Sequence, residues 1–289
     1  MSDIDTFFKR CDDILDVSMK GVTQRIRSRV EREFKHSGWV YHSFSGDGFE
    51  MLDTLSNPAL LINDDEYFNK NFALNLRDMV PSLKDNKTWQ SLLPVLVGIK
   101  EKGVGVGELV LPFIVPGWSY SNDGDGFHGG GYRECKNGVG SSIKPIKGGL
   151  TAKGLIDKLN KKYWNGVVPG HRKTFREWLS EFKSDISVST QYFKELYPKR
   201  DVSKLVSNLM KVDTREDFHK VMGRHHLSWY QEVDGWKSIL LIHESSLNLI
   251  NLSDIDESIF DFNIKMNAVM KRGKGTQAVP DGYSNIKTK

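Results

Sequence analysis

Residues 125–136 read Asp125-Gly-Phe-His-Gly-Gly-Gly-Tyr-Arg-Glu134-Cys135-Lys136, and the fold turns on how this stretch is read. The three consecutive glycines at 129–131 mark a tight reversal, because glycine enters turn conformations at little steric cost. Asp125 then stands at the end of one strand, and Tyr132 to Lys136 form the next. Side chains alternate faces along a strand. Glu134 and Lys136 therefore emerge side by side, and Cys135 turns into the core. Upstream, Gly103, Gly105 and Gly107 lead into Glu108, and the apolar run Leu109 to Val115 follows. Pro112 argues against a central strand there. A short helix, or a helix followed by an edge segment, fits better. Between Gly124 and Gly140, 7 of 17 residues are glycine, a density that lets backbone approach a ligand closely.

Glu108, Asp125, Glu134 and Lys136 thus fall within 29 residues. Two or three carboxylates hold a hard divalent cation through oxygen. Such a cation lowers the pKa of a bound water and screens charge building on a phosphate. A lysine beside it can orient that water or stabilise the pentavalent phosphorus. The chemistry expected of this set is metal-dependent phosphodiester cleavage.

The rest of the chain is mostly helical in pattern. Residues 3 to 35 read as one long helical region, with Asp3 as N-cap and Gly21 as an interruption, ended by Ser37-Gly38. A loop is expected at Ser45 to Gly48. Helices follow at about Asp65 to Met79 and Lys87 to Lys100, the second kinked by Pro94. Beyond Pro145, helices are expected near 151–162, 171–183, 189–197, 201–211 and 217–230. Strands are expected at Ser238 to His243, Leu247 to Leu252 and Ile259 to Met266. The residues after Lys271 read as a mobile basic tail.

Composition bounds the class. The chain has 289 residues, 38% of them hydrophobic and 27% charged, with a net charge of +4, as expected of a soluble globular protein. No apolar run reaches the roughly 18 residues that span a bilayer. The first twenty residues lack the basic and apolar regions of a signal peptide. Two cysteines cannot build a disulfide framework, so a reducing, cytoplasmic setting is expected. Lys144 to Arg200 carries 13 Lys/Arg against 5 Asp/Glu, interleaved with aromatics such as Tyr163, Trp164 and Trp178. That pattern suits a nucleic-acid surface or, equally, a helix pair with a solvated basic face. Lys144, Lys147, Arg172 and Lys173 are the candidates for phosphate contact. Adjacent His225 and His226 point to different helix faces and read as structural, like Trp229 and Tyr230. Ser121 to Gly126 lacks the acid and the closing glutamate of a calcium loop.

The order Glu108, Asp125, then Glu134-x-Lys136 resembles the PD-(D/E)XK (restriction-endonuclease-like) nuclease superfamily. The run Gly103 to Leu111 looks like the glycine-rich entry to the glutamate-bearing helix of phage-type members. Trp229 to Ile242 looks like the helix and following strand of the same core. The resemblance covers about residues 100–145 and 217–252. It implies an α/β, restriction-endonuclease-like core, a mixed sheet flanked by helices, with a helical N-terminal region and a helical insertion. The expected division is a helical region at 1–100, a core at 101–150 and 217–266, a basic helical insertion at 151–216 and the tail at 267–289. Asp125, Glu134 and Glu108 would be metal ligands, joined by the peptide carbonyl of Cys135, with Mg²⁺ as cofactor and Mn²⁺ as substitute. Lys136 would be the catalytic lysine. Gly124 stands where the family has proline, and Asp123 competes with Asp125 for the ligand role. The partner implied is DNA, in double-stranded form, with two chains paired as a homodimer to cut it. A second reading is a phage virion structural or head-completion protein built on the same fold, placed in the virion rather than the host cytoplasm, and a third is an RNA-directed nuclease, which the same residues fit.

Overall fold

A computed structural model describes residues 3–42, 46–57, 67–99, 104–121, 125–145, 150–164, 174–270 and 280–289. In chain order the elements are α1 (Asp3–Ser18), α2 (Gln24–His42), α3 (Gly46–Ser56), β1 (Phe72–Asn75), α4 (Lys87–Val97), α5 (Leu111–Ile114), β2 (Gly126–His128), β3 (Gly131–Asn137) and β4 (Ser141–Ile143). They continue as α6 (Leu150–Tyr163), α7 (Phe175–Ser184), α8 (Ile186–Leu196), α9 (Ser203–Met210), α10 (Arg215–Glu232), β5 (Ser238–Ile242), β6 (Asn248–Leu252), β7 (Ile264–Met270) and β8 (Pro280–Thr288). The protein is mixed α/β, with a mixed sheet flanked by helices. No helix among the described residues is long and apolar enough to cross a membrane.

The chain divides into two compact units. The first holds residues 1–140 and 236–263, with Thr288. Its sheet has the order β1-β6-β5-β3-β2. β3 and β5 run parallel, with Glu134 opposite Ile239 and Lys136 opposite Leu241, and the other pairs are antiparallel. A parallel pair needs a long connection, and here it is the entire stretch 138–237. Cys135, Leu240 and Ile242 join the apolar cluster built by α1 to α5. Glu134 and Lys136 lie on the opposite face, as strand alternation requires. α4 starts where Asn86 accepts the Trp89 N–H and ends at Gly98, whose N–H reaches the Pro94 carbonyl.

Arg133, on the Cys135 side of β3, is fully buried. It donates to the Phe68 carbonyl at 2.9 Å and to Ser238 Oγ at 2.7 Å, and its guanidinium lies 5.5 Å from the Phe68 ring centroid. A buried cation must be hydrogen-bonded to persist. These bonds tie β3, β5 and the segment before β1 together.

The second unit holds residues 141–235 and 264–287. Phe218, Met222 and Trp229 of α10 pack with side chains of α6 to α9 and with Ala268 and Met270 of β7. A small sheet, β4-β8-β7, belongs to the same unit. Thr174 and Glu177 form a capping box at the start of α7, and Thr214 caps α10 through the Asp217 N–H.

Several boundaries differ from the sequence reading. Residues 72–75 form a strand instead of the middle of a helix, because they pair in register with 248–251. Asn75 then accepts the Arg77 N–H and turns the chain into a 3-10 segment at Leu76–Met79. Residues 3–42 make two helices, parted at Gly21, which sits at φ +84°, and α2 runs past Ser37-Gly38. Gly46 opens a helix rather than a loop. Residues 257–262 coil into a 3-10 helix before β7 begins, and Asn263 at φ +60° makes the break.

Two domain boundaries also move. α10 and β7 do not join the sheet that carries Glu134, because their apolar faces are buried with α6 to α9. The tail is no mobile end over 280–288: β8 pairs with β4, Ser142 opposite Asn285, and buries Ser284 and Ile286. Residues 271–279 of that tail lie outside the described residues.

Candidate active site

Glu108 is placed by its glycines. It lies in the turn just before α5 rather than on a helix. Gly107 adopts φ +81°, and a Cβ there would come within 2.6 Å of Ile242 Cδ1. Glycine is needed on both counts. Gly105 donates its N–H to Glu108 Oε1, and a Cβ on Gly105 would collide with that carboxylate. The glutamate is folded back onto its own turn and is 3% exposed. Its second oxygen, Oε2, is buried and has no hydrogen-bond partner among the described residues.

Asp125 immediately precedes β2. Its Oδ2 accepts the backbone N–H of Cys135 at 2.8 Å. The carboxylate therefore takes the place of a strand carbonyl where the β2–β3 ladder runs out, since the last paired residue of β2 is Gly126, opposite Arg133. Glu134 and Lys136, adjacent on one face of β3, form an ion pair with each other. Their side chains are 9% and 20% exposed.

The electrostatics set these groups apart from ordinary surface acids. Burial, with the neighbouring Asp125 carboxylate adding to it, pushes the Glu108 carboxyl up to about 8. The Gly105 N–H and Lys136 pull the other way. Burial also raises Asp125, against Lys136 and the Cys135 N–H. Lys136 thus acts on both acids while bonded to Glu134. The Cys135 thiol is pushed well above its usual range by burial, then by Asp125 and Glu108, so it stays protonated in the core.

Glu108, Asp125 and Lys136 act on one another electrostatically, Asp125 holds the Cys135 N–H, and Glu134 joins them through its ion pair with Lys136. Among the described residues, no three His, Cys, Asp or Glu side chains converge closely enough to enclose a metal ion. The carboxylates are instead spent on three different donors: a turn N–H, a strand N–H and an ammonium. Lys144 is exposed in the second unit, its Nζ 5.8 Å from the Tyr283 ring centroid. Lys147, Arg172, Lys173 and Asp123 lie outside the described residues. His226 is structural: it is fully buried between the Tyr197 hydroxyl and Ser284 Oγ, each at 2.7 Å.

Comparison with protein-family models, curated proteins and solved structures gives no match.

One residue escaped the sequence reading. Tyr120 is half-buried, and its phenol is raised by burial and then by Glu108 and Asp125. Ser119 and Phe127 exchange backbone hydrogen bonds at 3.0 and 2.8 Å, so residues 118–120 run along the outer edge of β2. The alternation Trp118, Ser119, Tyr120 was the available signal.

The one oxygen left over for a hard cation is Glu108 Oε2, which is buried and has no hydrogen-bond partner among the described residues. A carboxyl that favours its proton up to about pH 8 is stabilised as an anion by a positive charge placed against it.

Proposed function

We propose that the protein hydrolyses phosphodiester bonds in DNA with the help of a divalent cation, Mg²⁺ by preference. The observation that carries this reading is the buried Glu108 with the half-buried Asp125 beside Lys136, one glutamate oxygen having no hydrogen-bond partner among the described residues. Clustered buried carboxylates oppose folding through desolvation and mutual repulsion, a cost that a scaffold has no need to bear. Strongly shifted groups gathered in one place point to a functional site.

Glu108 and Asp125 would hold the cation, with Glu134 and the Cys135 carbonyl at its margin. When bound, the ion supplies charge for the phosphate and acidity for a water. The chain's own groups do the remainder. Asp125 is fixed by the Cys135 N–H, so its geometry is set by β3. Lys136, held by Glu134, orients the attacking water and keeps positive charge at the phosphate. Gly105 and Gly107 hold Glu108 in place.

The test is plasmid cleavage with Mg²⁺, Mn²⁺ or EDTA, using wild type, Glu134→Ala and Lys136→Ala. Metal-dependent nicking or linearisation that falls at least about a hundredfold in both variants supports the reading. Cleavage that survives in both removes the assigned site. No cleavage with any metal, and no metal-dependent thermal shift, favours the other class, a phage structural or assembly protein.

A further inference from the structure

The face of β3 that carries Glu134 and Lys136 continues to Tyr132, two residues earlier. Tyr132 is directly opposite Phe127 on β2. The two rings meet edge to face, with centroids 5.3 Å apart. On the other side, the Tyr132 carbonyl accepts the Lys237 N–H at 2.8 Å. The β3–β5 register begins one residue later, at Arg133 and Ser238, so Lys237 is the next member of the row. Neighbours in register share a face. Phe127, Tyr132 and Lys237 therefore form one row across β2, β3 and the entry to β5, on the face of Glu134 and Lys136.

This row is open to solvent where Glu108 and Glu134 are not. Phe127 is 38% exposed, among the few large apolar side chains so exposed in the described residues. Lys237 is exposed and Tyr132 half-buried. The hairpin is also built to hold the lysine. Its Nζ donates to the Gly129 carbonyl in the turn, and a Cβ on Gly131 would come within 2.6 Å of the lysine stem. Glycine at 131 leaves the path along which Lys237 crosses the hairpin.

We propose that the Phe127–Tyr132 pair is a stacking platform for an unpaired base next to the phosphate handled by Asp125, Glu134 and Lys136. The substrate class is then single-stranded or locally opened DNA. The inference rests on the phosphodiester reading above and narrows it. Tyr132 and Glu134 are about 7 Å apart along the strand, on the order of one unstacked nucleotide. Aromatic faces bind bases without sequence preference, and an adjoining cation tracks the backbone. A duplex keeps its bases stacked on each other and offers the ring pair no free face. Lys237 and Lys136, on either side of Tyr132 and Glu134, match the charge of a strand laid along this face.

The experiment is fluorescence anisotropy in EDTA, so that binding is read without cleavage. The probe is a labelled single strand of about 15 nucleotides, compared with the duplex of the same sequence. The single strand should bind more tightly than the duplex. Phe127→Ala and Phe127→Leu should each weaken single-strand binding about tenfold or more, the leucine because it keeps apolar bulk without an aromatic face. Phe127→Trp should retain it. Tyr132→Ala should weaken it similarly, and Tyr132→Phe should not. Urea midpoints near wild type show that the variants fold. Unchanged single-strand affinity in Phe127→Ala and Phe127→Leu overturns the proposal, as does a preference for duplex, and an apolar protein partner then becomes the reading of this patch. Cleavage with Mg²⁺ that ignores Phe127 removes the stacking role and leaves the nuclease reading standing. Single-strand binding that depends on Phe127, with no cleavage under any metal, does the reverse. Binding of neither strand removes both.

Discussion

Replacing Glu108 with glutamine tests the electrostatics of the site without asking for activity. The wild-type carboxyl moves from 4.5 to about 8 on folding. Between those values the native protein holds a proton that the unfolded chain has released. Its contribution to stability is therefore at full strength below pH 4.5 and is lost as pH rises through about 8. At 1.36 kcal/mol per pH unit, the ceiling on that loss is about 5 kcal/mol. Relaxation and water entry lower such penalties in real proteins, so a fall of about 2 kcal/mol or more is expected. The glutamine of Glu108→Gln keeps an oxygen for the Gly105 N–H and cannot ionise. Urea denaturation in EDTA from pH 5 to 9 measures the effect as the difference between the two proteins. Wild type should lose stability relative to Glu108→Gln as pH rises, and Mg²⁺ should return part of it to wild type alone. Burial raises Asp125 as well, in both proteins, so its contribution cancels in the difference. A pH-independent difference would refute the buried, proton-holding carboxyl, and with it the observation on which the proposed function stands.

Other outcomes follow from single contacts. Gly107→Ala should lower the urea midpoint by the equivalent of about 1–3 kcal/mol, because it combines φ +81° with a Cβ 2.6 Å from Ile242. Asp125→Ala removes the acceptor of the Cys135 N–H. Amide exchange at Cys135 should accelerate, while amides of α6 to α9 keep their protection. Arg133→Met removes two buried bonds, to Phe68 and Ser238, and should cost about 3 kcal/mol or more in chemical denaturation. Burial, and then Arg200, lowers His226 to about 3 from 6.5. Its neutral form contributes stability in full above pH 6.5, and that stability is lost as pH falls towards 3. His226→Gln should flatten acid unfolding followed by near-ultraviolet circular dichroism.

The chemistry at β3 was legible from sequence because it is local. Three glycines, a strand period of two and the order of the charges suffice to place Glu134 beside Lys136 and Cys135 in the core, and the structure has both. The helices at 87–97, 203–210 and 215–232 were legible for a similar reason: caps and apolar spacing lie within each segment. The apolar runs at 238–242 and 248–252 announced themselves in the same way.

What lay beyond the sequence was decided by partners far away in the chain. Residues 72–75 become a strand only because 248–251 arrive beside them, and residues 280–288 become one between β4 and β7. The assignment of α10 and β7 to the second unit depends on which apolar faces meet, which no single segment encodes. The parallel pairing of β3 with β5 across about a hundred intervening residues belongs to the same kind. So does the burial of Glu108: the sequence supplies the carboxylate, but only the packed tertiary structure removes its Oε2 from water. Covalent spacing along the chain fixes which side chains share a face. Burial, which shifts a pKa and strips an oxygen of its donors, arises only when distant segments close over it.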